Sequence, residues 1–221
     1  MKGATVLFSE MSPDYDWEDD FNQWYDGHRI PERMEIAGFL SAQRYRDAER
    51  PNYLAVYELE SAAILNGEAY TKIQDHPNAK TRWILDNVTG TSRYIGNQIS
   101  EQSQDGLKEA ALDAPVLYAV FFSVPDARAT EFNQWYTEEH VPLLLKCKDW
   151  LTVRRFEIFE SEPQPWTHLA LHYLADESAF DSPEREAARN TEWRSKLAEE
   201  DWFRASYVLF NRLGERVFCE G

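Results

Sequence analysis

The sequence predicts an α+β protein in which two ferredoxin-like βαββαβ repeats form a barrel within one chain. Three observations carry that expectation. "FNQWYDGHRIP", beginning at Phe21, returns as "FNQWYTEEHVP" at Phe132, an offset of 132 − 21 = 111. The same offset continues without a gap through Gly38–Arg46 and Asp149–Glu157, where Leu40 meets Leu151, Arg44 meets Arg155 and Tyr45 meets Phe156. Later, "YLAVYEL" from Tyr53 resembles "HLALHYL" from His168, and "SRYIGNQISE" from Ser92 resembles "SYVLFNRLGE" from Ser206. Self-similarity of this length marks a duplicated unit.

Within each copy the elements follow from local pattern. "ATVLFSEM" and "APVLYAVFFSV" are rich in β-branched and aromatic residues and open each copy as strands. Ser12-Pro13 and Pro125-Asp126 supply helix-start chemistry. Trp17, Phe21, Trp24, Tyr25 and His28 recur at helical spacing, marking one face of the first helix. The residue before proline is pushed out of the helical region, so these helices are expected to end near His28 and Glu139–His140, ahead of Pro31 and Pro142. Strands follow around Leu40–Tyr45 and Tyr53–Leu59, with counterparts at Leu151–Phe156 and His168–Leu174. A second helix is expected over Ser61–Asn87, broken at Pro77, and over Pro183–Glu200, before a closing strand. "NQISEQSQDGLKEAALDAP" (Asn97–Pro115) is polar and contains glycine, as a linker does. The expected division is 1–101, a linker at 102–114, and 115–221. A βαββαβ unit leaves one sheet face open, and two such faces brought together give a barrel as an internal pseudo-dimer.

The composition narrows the function. With 23 Lys and Arg against 39 Asp and Glu, the formal charge is −16, which repels phosphate backbones and anionic headgroups. No nucleic-acid or membrane partner is expected, and no apolar run approaches the roughly 20 residues of a spanning helix. The N-terminus does not read as a secretory signal. Cys147 and Cys219 have no metal-ligand spacing and read as reduced cysteines, pointing to the cytoplasm. The 8 Trp, 11 Tyr and 12 Phe suit either core or the walls of an apolar pocket.

"FNQWYTEEHVPLLL…WLTVRRFE" followed by "HLALHYL" resembles the EthD-like group of dimeric α+β barrel proteins, and the tandem layout is similar to fungal two-copy EthD-domain proteins. The resemblance implies a small hydrophobic or aromatic substrate; its relatives include cofactor-free enzymes and haem-binding branches, and no cofactor or metal is expected here because no ligand cluster with credible spacing is present. It singles out His140, which matches the box histidine of the family and has the chemistry of a general base. The adjacent Glu138-Glu139 pair is expected to favour its protonated form. Arg29 stands at the matching place in the first copy and cannot act as a base; it can bind an anionic oxygen. His28 lies one residue earlier, about 100° around the helix, with Gly27 loosening the turn.

Tyr25 and Tyr136 lie upstream and can donate to a developing oxyanion, while Trp24 and Trp135 can stack on a substrate. His168 and His172 share a strand face about 13 Å apart, too far to share a metal. No phosphate loop, zinc motif or serine elbow is present. The expected activity is a cofactor-free lyase, cyclase or isomerase with His140, Tyr136 and His28 as the catalytic candidates. The alternatives are a cofactor-independent, anthrone-type monooxygenase and a non-catalytic binding barrel.

Overall fold

Alternating strands and interrupted helices build the molecule, and the computed structural model describes residues 2–219. The order is β1 (Thr5–Ser12), α1 (Glu18–Trp24), α2 (Ile30–Met34), β2 (Phe39–Asp47), β3 (Tyr53–Leu59), α3 (Glu68–Asp75), α4 (Ala79–Asn87) and β4 (Thr89–Ser103). Then come β5 (Val116–Phe122), α5 (Asp126–Trp135), α6 (Val141–Leu144), β6 (Trp150–Glu162), β7 (His168–Leu174), α7 (Pro183–Arg189), α8 (Glu192–Ala198) and β8 (Ser206–Phe218).

The structure corrects the expected fold class. The chain is one closed, eight-stranded antiparallel barrel in the order β1-β3-β2-β8-β5-β7-β6-β4. It is not a pair of ferredoxin-like βαββαβ repeats that form a dimeric α+β barrel by setting two sheets together. Edge pairing decides the matter: β4 pairs with β1 on one side and β6 on the other, and β8 pairs with β5 and β2. Two separate sheets would leave four unpaired edges, and closure removes every one. The same pairing corrects the linker. Residues 97–103, polar in sequence, are the second part of β4, and Ser103 lies opposite Thr152.

Side-chain alternation along the strands creates three cores. Val6, Phe8, Leu54, Val56, Leu117, Phe121, Phe156, Leu171 and Phe210 fill the barrel. Arg154, also inside, donates to both carboxylate oxygens of Glu58, so β6 and β3 are tied by a buried ion pair. The outward residues of the first half pack under α1–α4. Those of the second half, among them Val120, Phe122, Val153 and Ala170, pack under α5–α8. No helix among the described residues is long and apolar enough to cross a membrane.

The helices do not stop before their prolines, as the sequence suggested. Each passes into a π-helical turn, Tyr25–Arg29 and Tyr136–His140, and continues as α2 or α6. Ile30 and Val141, the residues before Pro31 and Pro142, keep helical angles (φ −67°, ψ −54° and φ −65°, ψ −45°). A π turn holds one residue more than an α turn. It widens the ladder where proline offers no N–H and where its ring would press on the carbonyl one turn back.

Candidate active site

A cavity of about 260 Å³ opens between the second half's helices and the outer face of the barrel, slightly below the usual span for small-ligand sites. Its floor is Tyr118 and Val120 on β5 and His172 on β7, and Trp150 closes one end. Trp135, Tyr136 and His140 overhang it from α5 and the π turn. Arg185, Arg189 and Arg194 project from α7 and α8, and Arg204 and Tyr207 from the segment entering β8.

Hydrogen-bond chemistry fixes the protons at the floor. The indole N–H of Trp150 can only donate, and it donates to Nδ1 of His172 at 3.0 Å. The neutral His172 therefore carries its proton on Nε2, which donates to the Tyr136 hydroxyl at 3.1 Å. With its oxygen accepting there, the Tyr136 O–H is left to donate elsewhere. Burial pushes the His172 pKa well down and the Tyr136 pKa up, so both are neutral at pH 7. His172 is a fixed donor and not a base.

His140 is arranged in the opposite sense. Its Nδ1 lies 3.3 Å from the Ala188 carbonyl, which can only accept, so Nδ1 carries the proton and Nε2 keeps its lone pair. The ring stacks on Trp135 at 4.6 Å and meets Tyr136 edge-on at 5.1 Å. Burial, with the charges of Arg194, Arg155 and Arg189 adding to it, holds the His140 pKa down at about 3. The expectation that Glu138-Glu139 would favour an imidazolium is corrected. Glu139 instead accepts from Thr191 at 2.6 Å, and Glu138 is exposed.

The arginines were not anticipated. Among the described residues, Arg185, Arg189, Arg194 and Arg204 form no ion pair with a carboxylate, and the chain they belong to carries a formal −16. Arg155, buried behind Tyr136 at 4.3 Å from its ring, donates to Asn133 and Thr137 and has no carboxylate partner among the described residues, and burial lowers its pKa to about 10. Its first-half equivalent, Arg44, is neutralised by Asp26 at 2.8 Å. The indole N–H of Trp135 is buried without a partner among the described residues, whereas Trp24 donates to Thr81 at 3.0 Å. An open cleft with spare donors and uncompensated cations is arranged for an anion. The signal available in the sequence was the spacing of Arg185 and Arg189, one turn apart on one helix face.

The remaining sequence candidates lie elsewhere. His168 is buried beside Phe132 (5.2 Å between ring centres) with Nδ1 2.9 Å from the Thr167 hydroxyl, and burial lowers its pKa to about 4. His28 is at the surface, 2.8 Å from Asn78 and 3.8 Å from Glu32. Tyr25 is buried with its hydroxyl 3.3 Å from that of Tyr57, which occupies the place His172 has in the second half. Arg29 is buried over Trp24 and reaches Glu32 at 3.2 Å. Only His140, Tyr136, Trp135 and His172 of the sequence candidates meet in one cavity. Among the described residues no group of three or more His, Cys, Asp or Glu is placed to hold a metal.

No protein-family model matches the chain, and no curated protein is a significant match. Solved structures do match over nearly the whole length. An anthrone oxidase-like protein superposes with a TM-score of 0.71 at 10% identity, covering 98% of this chain and 93% of its own. A mutant chlorite dismutase from Candidatus Nitrospira defluvii in complex with cyanide gives 0.62 at 9% identity, covering 97% and 92%. A monooxygenase-like protein from Listeria innocua gives 0.50 at 8% identity, covering 96% and 95%. The chain shares its fold with this anthrone oxidase-like and monooxygenase-like group. The comparisons give no support to an EthD-like tandem, nor to a lyase, cyclase or isomerase, and those expectations are withdrawn.

Proposed function

We propose that the protein is a cofactor-independent oxygenase that takes a small, enolisable aromatic ketone or phenol as its anion and lets it react with O₂. The observation that carries this reading is the cleft itself, where a neutral His140, its Nδ1 engaged by the Ala188 carbonyl, shares one lining with arginines lacking carboxylates among the described residues. The likeness in fold to an anthrone oxidase-like protein is in keeping with it. A base held near pKa 3 is weak on its own. The field that disfavours its imidazolium, however, favours the anion left when the substrate loses a proton. Proton transfer is thereby helped at the substrate end, and the anion formed beside the ring offsets the cost of the imidazolium.

His140 Nε2 removes a proton from an activated methylene. The negative charge passes to the conjugated oxygen, which receives the Tyr136 O–H. The carbanion gives one electron to O₂, and recombination of the radical pair forms a C–O bond as a hydroperoxide anion. The hydroperoxide takes its proton back from His140, and loss of water leaves a ketone. The balance is CH₂ plus O₂ to C=O plus H₂O.

An oxygen electrode with purified protein and a panel of anthrones tests the reading. One O₂ should be consumed per quinone formed, and His140→Ala should lower kcat by about 10² or more while the protein stays folded. Binding without O₂ uptake, or unaltered turnover in His140→Ala, would refute it.

A further inference from the structure

The first half contains a second, separate cavity of about 240 Å³ between β1, α2, α3 and β4, bordered by Arg29, Arg33, Arg93, Tyr70 and Gln74. Where the second half places His140 and Leu144 around its open cleft, the offset of 111 puts Arg29 and Arg33 here. Both guanidiniums are nearly inaccessible, at 2% and 3% exposure, and they lie one helical turn apart. Burial and then the charge of Arg33 lower the pKa of Arg29, while burial of Arg33 is outweighed by the Tyr57 and Tyr70 phenols beside it, which raise its own. Glu32 reaches Arg29. Arg33 forms no ion pair with a carboxylate among the described residues and rests on the Tyr57 and Tyr70 rings at 4.6 and 6.0 Å.

Two of its nitrogens, Nε and Nη1, are buried without a hydrogen-bond partner among the described residues, as are Nε of Arg29 and Nε2 of Gln74. Leaving a buried cation unpaired is among the most destabilising arrangements a protein can hold. The carboxylates on the wall do not answer it. Glu10 accepts from Asn52 and Ser92, one at each oxygen, and burial raises its pKa. Arg93 is occupied by Glu160, and Glu162 is exposed at the rim.

We infer that this cavity is a binding site for a small oxyanion, a phosphate or a carboxylate, held by Arg33 and Arg29 with the Gln74 amide. Guanidinium forks match the oxygens of both groups, and an anion would answer buried donors that the described residues leave unpaired. The inference does not depend on the activity proposed for the other cleft.

Calorimetric titration and thermal melts of the full chain test it, with inorganic phosphate and acetate as probes and chloride at matched ionic strength as the control. At least one oxyanion should bind saturably and raise Tm by about 2 °C or more at high excess. Preference between phosphate and acetate identifies the group. The titrations are run on Arg185→Ala, whose substitution weakens the anion cleft of the second half; there Arg33→Met should abolish binding and Gln74→Leu should weaken affinity about tenfold. If neither probe binds Arg185→Ala saturably, or its binding is unaltered by both Arg33→Met and Gln74→Leu, the site is not there. Should Arg33→Met fail to fold, the Gln74→Leu affinity alone decides.

Discussion

At the scale of single residues, the cleft works through fixed proton positions. Trp150 sets the tautomer of His172, and His172 in turn leaves the Tyr136 proton available to a ligand. Trp150→Phe removes that instruction, so the imidazole proton can sit on Nδ1 and draw the Tyr136 O–H back to itself. The expected outcome is a kcat about tenfold lower with KM little changed, and a mixed-tautomer ¹⁵N spectrum for His172 in place of a single Nε2–H form. An unaltered spectrum would show that the indole does not set the tautomer. Tyr136→Phe removes the donor itself and should cost more, about 10² in kcat. It also strands the His172 N–H and should lower stability by about 1–3 kcal/mol.

At the scale of elements, the π turn of Tyr136–His140 decides where the base points. One extra residue in the turn offsets every later side chain by about 100° relative to a continuous α-helix. Removing the exposed Glu138 should restore an α turn and carry the His140 ring off Trp135. Turnover should fall by about 10² or more while far-UV circular dichroism keeps its native form; full activity in the deletion variant would mean the turn does not aim the ring. Sequence alone could not reveal this device. Val141-Pro142 read as a stop because the preference of pre-proline residues is strong in isolation, and the widened turn that relieves it has no sequence signature of its own. The strands and the His140–Tyr136 pairing were legible, since period-2 alternation and the shared eleven-residue stretch are local. The arginines of α7 and α8 were not, because their missing partners are a property of three-dimensional neighbours. Nor was the edge pairing of β4 and β8, since polar, mixed stretches such as Asn97–Ser103 carry little strand signal.

At the scale of the whole molecule, closing the barrel buries two imidazoles, His168 and His172, and half-buries His140, all three on the second half's helix-facing side. All three are held neutral. The folded pKa is about 3 for His140, about 4 for His168, and well below the ordinary 6.5 for His172. Between about pH 6.5 and those values the unfolded chain takes up protons that the native state refuses, so stability rises with pH there. The contribution is fully present above 6.5 and is lost progressively as pH falls toward 4. Glu10 acts in the contrary direction, since its carboxyl is held above its ordinary range, but it is one group set against three. Each fully buried imidazole adds a slope of about 1.4 kcal/mol per pH unit. Urea titrations should therefore show a loss of stability already between pH 6.5 and 5, ahead of ordinary carboxylate titration. His172→Tyr copies Tyr57 at the equivalent first-half position and should remove one proton's worth of that slope, and adding His168→Phe should remove a second. A slope that both substitutions leave unchanged would mean that His168 and His172 accept protons in the folded state and that the slope belongs to His140. Stability that is flat from pH 6.5 to 5 would mean that all three rings accept protons there, and His140 would then be an ordinary imidazole, and not one whose basicity waits for an anion.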